Sequence, residues 1–335
     1  MDVCERRYRQ VIGSIGIGLL AFLLLTFLFG LLTGGVALLL PLLGATGVLG
    51  EILYDLMYGA GYLLCFMLPV FVIKRVFAAR KLTYLPMASE ARLSPWLPLI
   101  LFAGISMVLV QAYLNSALAD LVGYSFVGVA EPVPLNTPYR VVLQFITTCL
   151  VPGFCEEFLF RGAIQSNCAP FGRTNAILIS SLTFALMHQN VAQFLYTFAA
   201  GILLGLVYEY TGSIWNCVVL HTVNNFVSLF GTVLLSTLSE RAGVLAVVLF
   251  EGGIFLLGVI SMGILLPRFF GKREPSEHGF FGRSLPASDT YAVCPVSPRR
   301  AWRLAATPSM IIYVVFCTAE MLALFLLVRG GYGLV

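Results

Sequence analysis

Cys155-Glu156-Glu157-Phe158-Leu159-Phe160-Arg161-Gly162 places two carboxylates and a guanidinium inside a long apolar segment. On insertion scales a charged side chain at the bilayer centre costs roughly 2.5–3.5 kcal/mol. Three left unpaired at that depth would cost on the order of 9 kcal/mol. A chain that keeps such a cluster uses it for pairing, for transport or for chemistry.

The surroundings of this octapeptide fix the fold class. The chain has 335 residues, 59% of them hydrophobic and 11% charged, with a mean hydropathy of +0.93. Apolar runs of about 18 residues or more recur, which an ordinary soluble domain does not need. They lack the period-2 alternation of an outer-membrane barrel. The expected class is an all-α polytopic membrane protein of about eight to nine transmembrane helices, bound to the lipid bilayer. Apolar windows fall near 11–32, 52–73, 96–122, 139–168, 174–190, 193–209, 214–232, 244–266 and 309–328. A further piece, Val36 to Leu43, contains Pro41 and either extends the first span or re-enters. Arg6, Arg7 and Arg9 before the first run resemble a signal peptide, but the run is too long for an h-region and is read as a retained anchor.

Basic residues set the orientation. An N-terminus in the cytoplasm puts sixteen on that side, among them Arg6, Arg7, Arg9, Lys74, Arg75, Arg80, Lys81, Arg173, Arg299, Arg300 and Arg303. Only Arg140, Arg241 and Arg329 fall opposite. This charge reports topology, and no nucleic-acid partner is expected. The eight cysteines show no paired spacing, which argues against a disulfide framework or a zinc ribbon. Gly30-x-x-x-Gly34 and Gly201-x-x-x-Gly205 both fit close helix packing.

Within the spans, Arg161 follows Glu157 by four residues and shares its helix face, so the two are expected to pair. Glu156 is turned about 100° away and stays the freer carboxylate, placed to act as a general base. An ion-paired staple would explain Glu157 and Arg161 but not Glu156. Of three histidines, His278 lies in a polar stretch, while His188 and His221 lie in spans. A lone intramembrane histidine is as often a helix–helix hydrogen-bonding residue. Asn225, four residues after His221, shares its face. Counting from the turns places Glu156 and His188 at matching depth, with His221 roughly 12 Å in from its own turn. These residue types suit water activation: Glu156, assisted by His188, takes the proton, and His221 with Asn225 donates to the oxyanion. Two histidines and a carboxylate (Glu156, His188, His221) would equally hold Zn2+ with one open position. The residues leave that choice open.

Glu156-Glu157-x-x-x-Arg161, Phe184-x-x-x-His188 and His221-x-x-x-Asn225 resemble, in order, the three motifs of the CPBP intramembrane proteases. That family includes type II CAAX prenyl endopeptidases and the bacteriocin-linked Abi proteins. The resemblance covers roughly 139–232 and implies a catalytic four-helix core there. Three N-terminal helices (1–138) precede it; a further helix (233–270), a cytoplasmic linker (271–308) and an extra C-terminal helix (309–335) follow. It implies Glu156 as the base, His188 as its partner, His221 and Asn225 on the oxyanion side, and Glu157 and Arg161 in support. It leaves glutamic and metalloprotease chemistry both open. The implied activity is endoproteolysis of a lipidated or membrane-associated peptide, in a site opening toward the cytoplasm. The alternatives are a non-enzymatic immunity or binding protein that keeps the cluster as a scaffold, and a proton-relaying transporter, for which no internal repeat is present.

Overall fold

The computed structural model describes residues 1–44, 47–85, 93–121, 135, 137–270 and 294–329. Among them ten helices form: α1 Val3–Leu42, α2 Gly47–Ala79, α3 Leu97–Leu121, α4 Pro138–Phe171, α5 Arg173–Met187, α6 Val191–Thr211, α7 Ile214–Thr237, α8 Glu240–Phe270, α9 Pro298–Ala305 and α10 Pro308–Arg329. Eight are long and apolar enough to cross a membrane. The chain is an integral, multi-pass, all-helical membrane protein.

The window 174–190 does not become a spanning helix. At roughly 1.5 Å per residue, the 15 residues of α5 reach about 22 Å, short of a hydrocarbon core of about 30 Å. The chain turns back at Gln189, in the left-handed region at φ 51°. Asn190 then caps α6, its side chain accepting from Ala192 N at 2.9 Å. Such a turn at membrane depth needs protein around it, and α5 and α6 pack along each other as a hairpin.

α4 is one helix with two loosened stretches. π-helical turns at Phe145–Leu150 and Phe158–Gln165 flank the α-helical segment Val151–Glu157, which carries both acids. One side of α4, with Cys155, Leu159 and Phe160, enters a core shared with α1, α2 and α5. The second core joins α3, α6, α7 and α8. The polar residues lie between the two.

Glycine spacing divides into used and unused pairs. A Cβ on Gly201 would stand 3.0 Å from Ser181 Cα, and one on Gly205 3.0 Å from Ile177 Cγ2, so α6 lies close on α5. Nothing lies within 4 Å of Gly30, Gly34 or Gly35 among the described residues. α1 runs on through Pro41, so the piece from Val36 extends the first span.

The N-terminus meets the segment that leads into α10. Arg173–Glu209 at 3.7 Å and Arg300–Glu5 at 2.6 Å mark one end of the bundle, and Arg140–Glu51 at 2.7 Å marks the other. A disulfide joins Cys4 to Cys294 at the first end. The expectation from cysteine spacing is corrected on this point, while six further cysteines stay buried and unpaired. Residues 271–293 of the expected linker lie outside the described residues. The rest of it is held: Cys294 N and Val296 N donate to Pro170 O and Phe171 O, and α9 follows. α10 docks through Ser309 Oγ to Gly13 O (3.0 Å) and Tyr313 Oη to Thr183 O (2.8 Å).

Candidate active site

Arg161 is fully buried; both terminal amino groups of its guanidinium are hydrogen-bonded, while its Nε has no partner among the described residues. One amino group donates to Glu157 Oε1 at 3.0 Å and the other to Gly201 O at 3.0 Å. Its guanidinium carbon lies 4.8 Å from the centre of the Phe184 ring, a cation–π contact. The i,i+4 pair read from the sequence forms even though Arg161 lies in the second π turn. Buried charges need this density of partners, since one left uncompensated is strongly destabilising.

Glu157 joins this pair to α7. Its Oε1 also receives His221 Nδ1 at 2.8 Å. A carboxylate oxygen in that place accepts, so Nδ1 carries the hydrogen. His221 Nε2 then faces Glu156 Oε2 at 3.7 Å, beyond direct hydrogen-bond reach.

Both acids keep one buried oxygen, Oε2, without a hydrogen-bond partner, but only Glu156 lines a cavity; its Oε1 accepts from Tyr62 Oη of α2. His188 sits just past the end of α5, where the helix tightens and His188 N bonds Ala185 O. The carbonyl this leaves, Phe184 O, is met by His188 Nδ1 at 2.9 Å. A carbonyl can only accept, so Nδ1–H is required and Nε2 is left for other partners. Asn225 donates one amide hydrogen to Thr148 O at 3.1 Å.

Glu156, His188, His221 and Asn225 line one cavity of about 290 Å³. Glu157 and Arg161 lie behind it. The apolar side of the cavity comes from α3 and α6, with Val108, Ala200, Leu203 and Leu204. Both imidazoles line the cavity with Glu156, and His221 Nε2 stands 3.7 Å from Glu156 Oε2. Tyr62 is the residue that the sequence reading misses. It carries no motif and bonds across 94 positions; the only hint is that a phenol inside a span needs a partner.

Among the described residues no three His, Cys, Asp or Glu side chains stand together so as to hold an ion. The one free nitrogen of His221 faces a single oxygen.

Residues 138–227 match the family model described as type II CAAX prenyl endopeptidase Rce1-like. This stretch is Rce1-like. The match begins at the first residue of α4, ends on α7, and takes in all seven motif residues. It covers just over a quarter of the chain. No curated protein and no solved structure matches the chain. The matched segment is similar to a CAAX prenyl endopeptidase. Tyr62, on α2, lies outside it.

Proposed function

We propose that this protein is an intramembrane endopeptidase whose water is activated by Glu156. One observation carries the reading: Glu156 Oε2 is buried at a polar cavity with no hydrogen bond, while Oε1 is held by Tyr62. An ionised carboxylate so fixed offers one lone-pair site to one water.

In this reading Glu156 Oε2 takes one water proton as the water oxygen bonds to the scissile carbonyl carbon. His188 Nε2, kept as an acceptor by the Nδ1–Phe184 bond, receives the second hydrogen of that water and orients it. The carbonyl π electrons move to oxygen, and the oxyanion meets the second amide hydrogen of Asn225 and His221 in its doubly protonated form. Collapse of the tetrahedral species breaks the C–N bond. The proton on Glu156 passes to the leaving amine, which restores the carboxylate. Glu157 and Arg161 hold the His221 ring from behind. Water and protein groups complete the cycle, with no step through a metal. The Rce1-like segment and the apolar wall from α3 and α6 support a lipidated or membrane-associated peptide as substrate.

The test is comparative peptide profiling of membranes carrying the intact chain or Glu156→Gln. Uncut membrane peptides should accumulate with the variant while the variant protein reaches normal levels. Identical profiles and an unchanged phenotype would replace the enzyme with a scaffold that binds or confers immunity.

A further inference from the structure

A second cavity of about 360 Å³ adjoins the first and shares Thr148 and Asn225 with it. It runs between α4 and α7, and Gln144, Ser228 and Thr232 line it with Leu135 at its far end. Along α7 the polar positions 225, 228 and 232 fall at i, i+3 and i+7, one helix face. Along α4 the positions 144 and 148 do the same. The same two helices also carry exposed apolar side chains, Ile146 on α4 and Phe226 on α7, both 38% exposed.

A polar lining is costly on a helix pair that faces lipid, and these groups are not spent on the fold. Neither the Gln144 amide nor the Ser228 hydroxyl hydrogen-bonds any described residue. Thr148 and Thr232 each give their hydrogen to a carbonyl one turn back, at 2.7 and 3.1 Å, so their oxygens remain as acceptors. The trench therefore offers donors from Gln144 and Ser228 and acceptors from all four side chains. An extended peptide in a membrane needs these, because its amides have no water to pair with.

We infer that this trench holds the extended segment of the substrate next to its scissile bond, resting on the peptidase reading above. The segment lies along α7 from Thr232 toward Asn225 and delivers its carbonyl to Glu156. It enters from the end marked by Arg140–Glu51, away from Arg300–Glu5 and Arg173–Glu209. This is the reverse of the cytoplasmic opening expected from the turn lengths. Continuity with the catalytic cavity names the occupant: whatever fills the trench ends at Asn225, and only a chain spanning both cavities uses the polar groups of both.

The test uses the full-length protein in membranes and a fluorescent peptide bearing a farnesylated cysteine four residues from its C-terminus. A photo-crosslinker enters as Ser228→p-benzoylphenylalanine or Thr232→p-benzoylphenylalanine on a Glu156→Gln background, with Leu249→p-benzoylphenylalanine on α8, 67% exposed and outside both cavities, as the control. Crosslinking at 228 and 232, absent at 249 and suppressed by excess unlabelled peptide, is expected. With Glu156 intact, Gln144→Ala plus Thr232→Val should raise KM about tenfold and lower kcat less, as befits two lost hydrogen bonds to bound peptide. Cleavage by the wild type without crosslinking or a KM change overturns the trench and leaves the peptidase standing. Crosslinking without wild-type cleavage overturns the peptidase reading and leaves a peptide-binding trench. Neither signal overturns both.

Discussion

One oxygen, Glu157 Oε1, receives both Arg161 at 3.0 Å and His221 Nδ1 at 2.8 Å. Through it a fully buried cation on α4 fixes the ring that faces Glu156 from α7. Support and chemistry are therefore separable by mutation.

Arg161→Ala removes the cation and leaves Glu157 buried against one imidazole. Loss of a buried ion-pair partner costs about 3–5 kcal/mol, so the variant should accumulate poorly and melt early in detergent. Glu157→Leu with Arg161→Met should recover the protein level but not peptide cleavage, since His221 loses its Nδ1 acceptor. Normal cleavage by the double variant would break the link from Glu157 to His221.

Glu156→Gln keeps the size of the side chain and removes the base. Turnover should fall by about 10²–10⁴, the usual worth of general acid–base catalysis. Thermal stability should stay within about 1 kcal/mol of the parent, read as a melting curve beside the activity assay.

Tyr62→Phe removes only the hydroxyl that holds Glu156 Oε1. A hydrogen bond to a charged group is worth about 1.5–3 kcal/mol, and much of that restrains a rotamer. We expect kcat to drop roughly tenfold or more with little change in KM. An unchanged kcat would show that the carboxylate holds its place without the phenol.

Gly153 and Gly34 form a matched pair. A Cβ at Gly153 meets Thr222 N and Cα at 3.1 and 3.2 Å, the α7 backbone beside His221. Gly153→Ala should cost about 1–3 kcal/mol by overpacking and lower activity further by moving His221. Gly34→Ala meets nothing and should be neutral, or stabilising by up to about 1 kcal/mol. Differential melting of the two variants checks this.

The Cys4–Cys294 bond lies at the end that the basic residues assign to the cytoplasm, where disulfides are rarely kept. With that end inside, both thiols should be reduced in growing cells and close on treatment with diamide. Rapid acid quenching and maleimide mass-tagging should show two more accessible thiols before the oxidant than after. A bond already formed in untreated cells would place the basic end on the oxidising side.

Local spacing made Glu157 and Arg161 legible, since four residues on a helix bring two side chains together whatever surrounds them. Depth was legible too, because residues counted from turns convert to ångströms, and all four proposed catalytic side chains line one cavity. Rotation was not legible. How each imidazole is turned toward Glu156 depends on how α5 and α7 lie against α4, and no spacing within one helix encodes that. The same limit hid Tyr62, and it hid Cys294, which meets Cys4 across 290 positions. Gly30-x-x-x-Gly34 and Gly201-x-x-x-Gly205 look alike as strings, yet among the described residues only the second has a helix against its glycine face. The apolar window at 174–190 carried no sign that Gln189 and Asn190 would fold the chain back early.

The π turns on either side of Val151–Glu157 have a mechanical consequence. Each winds in an extra residue per bulge, so the acid-bearing segment is clocked relative to both ends of its own helix. Deleting one residue from Phe145–Leu150 would let that turn tighten and swing Pro138–Gln144 by about 100° against the glutamates. The trench side chain Gln144 would then look away from Thr232 while Glu156 stayed in place. Angular phase along a single helix thus decides whether its far half serves the reaction or faces lipid.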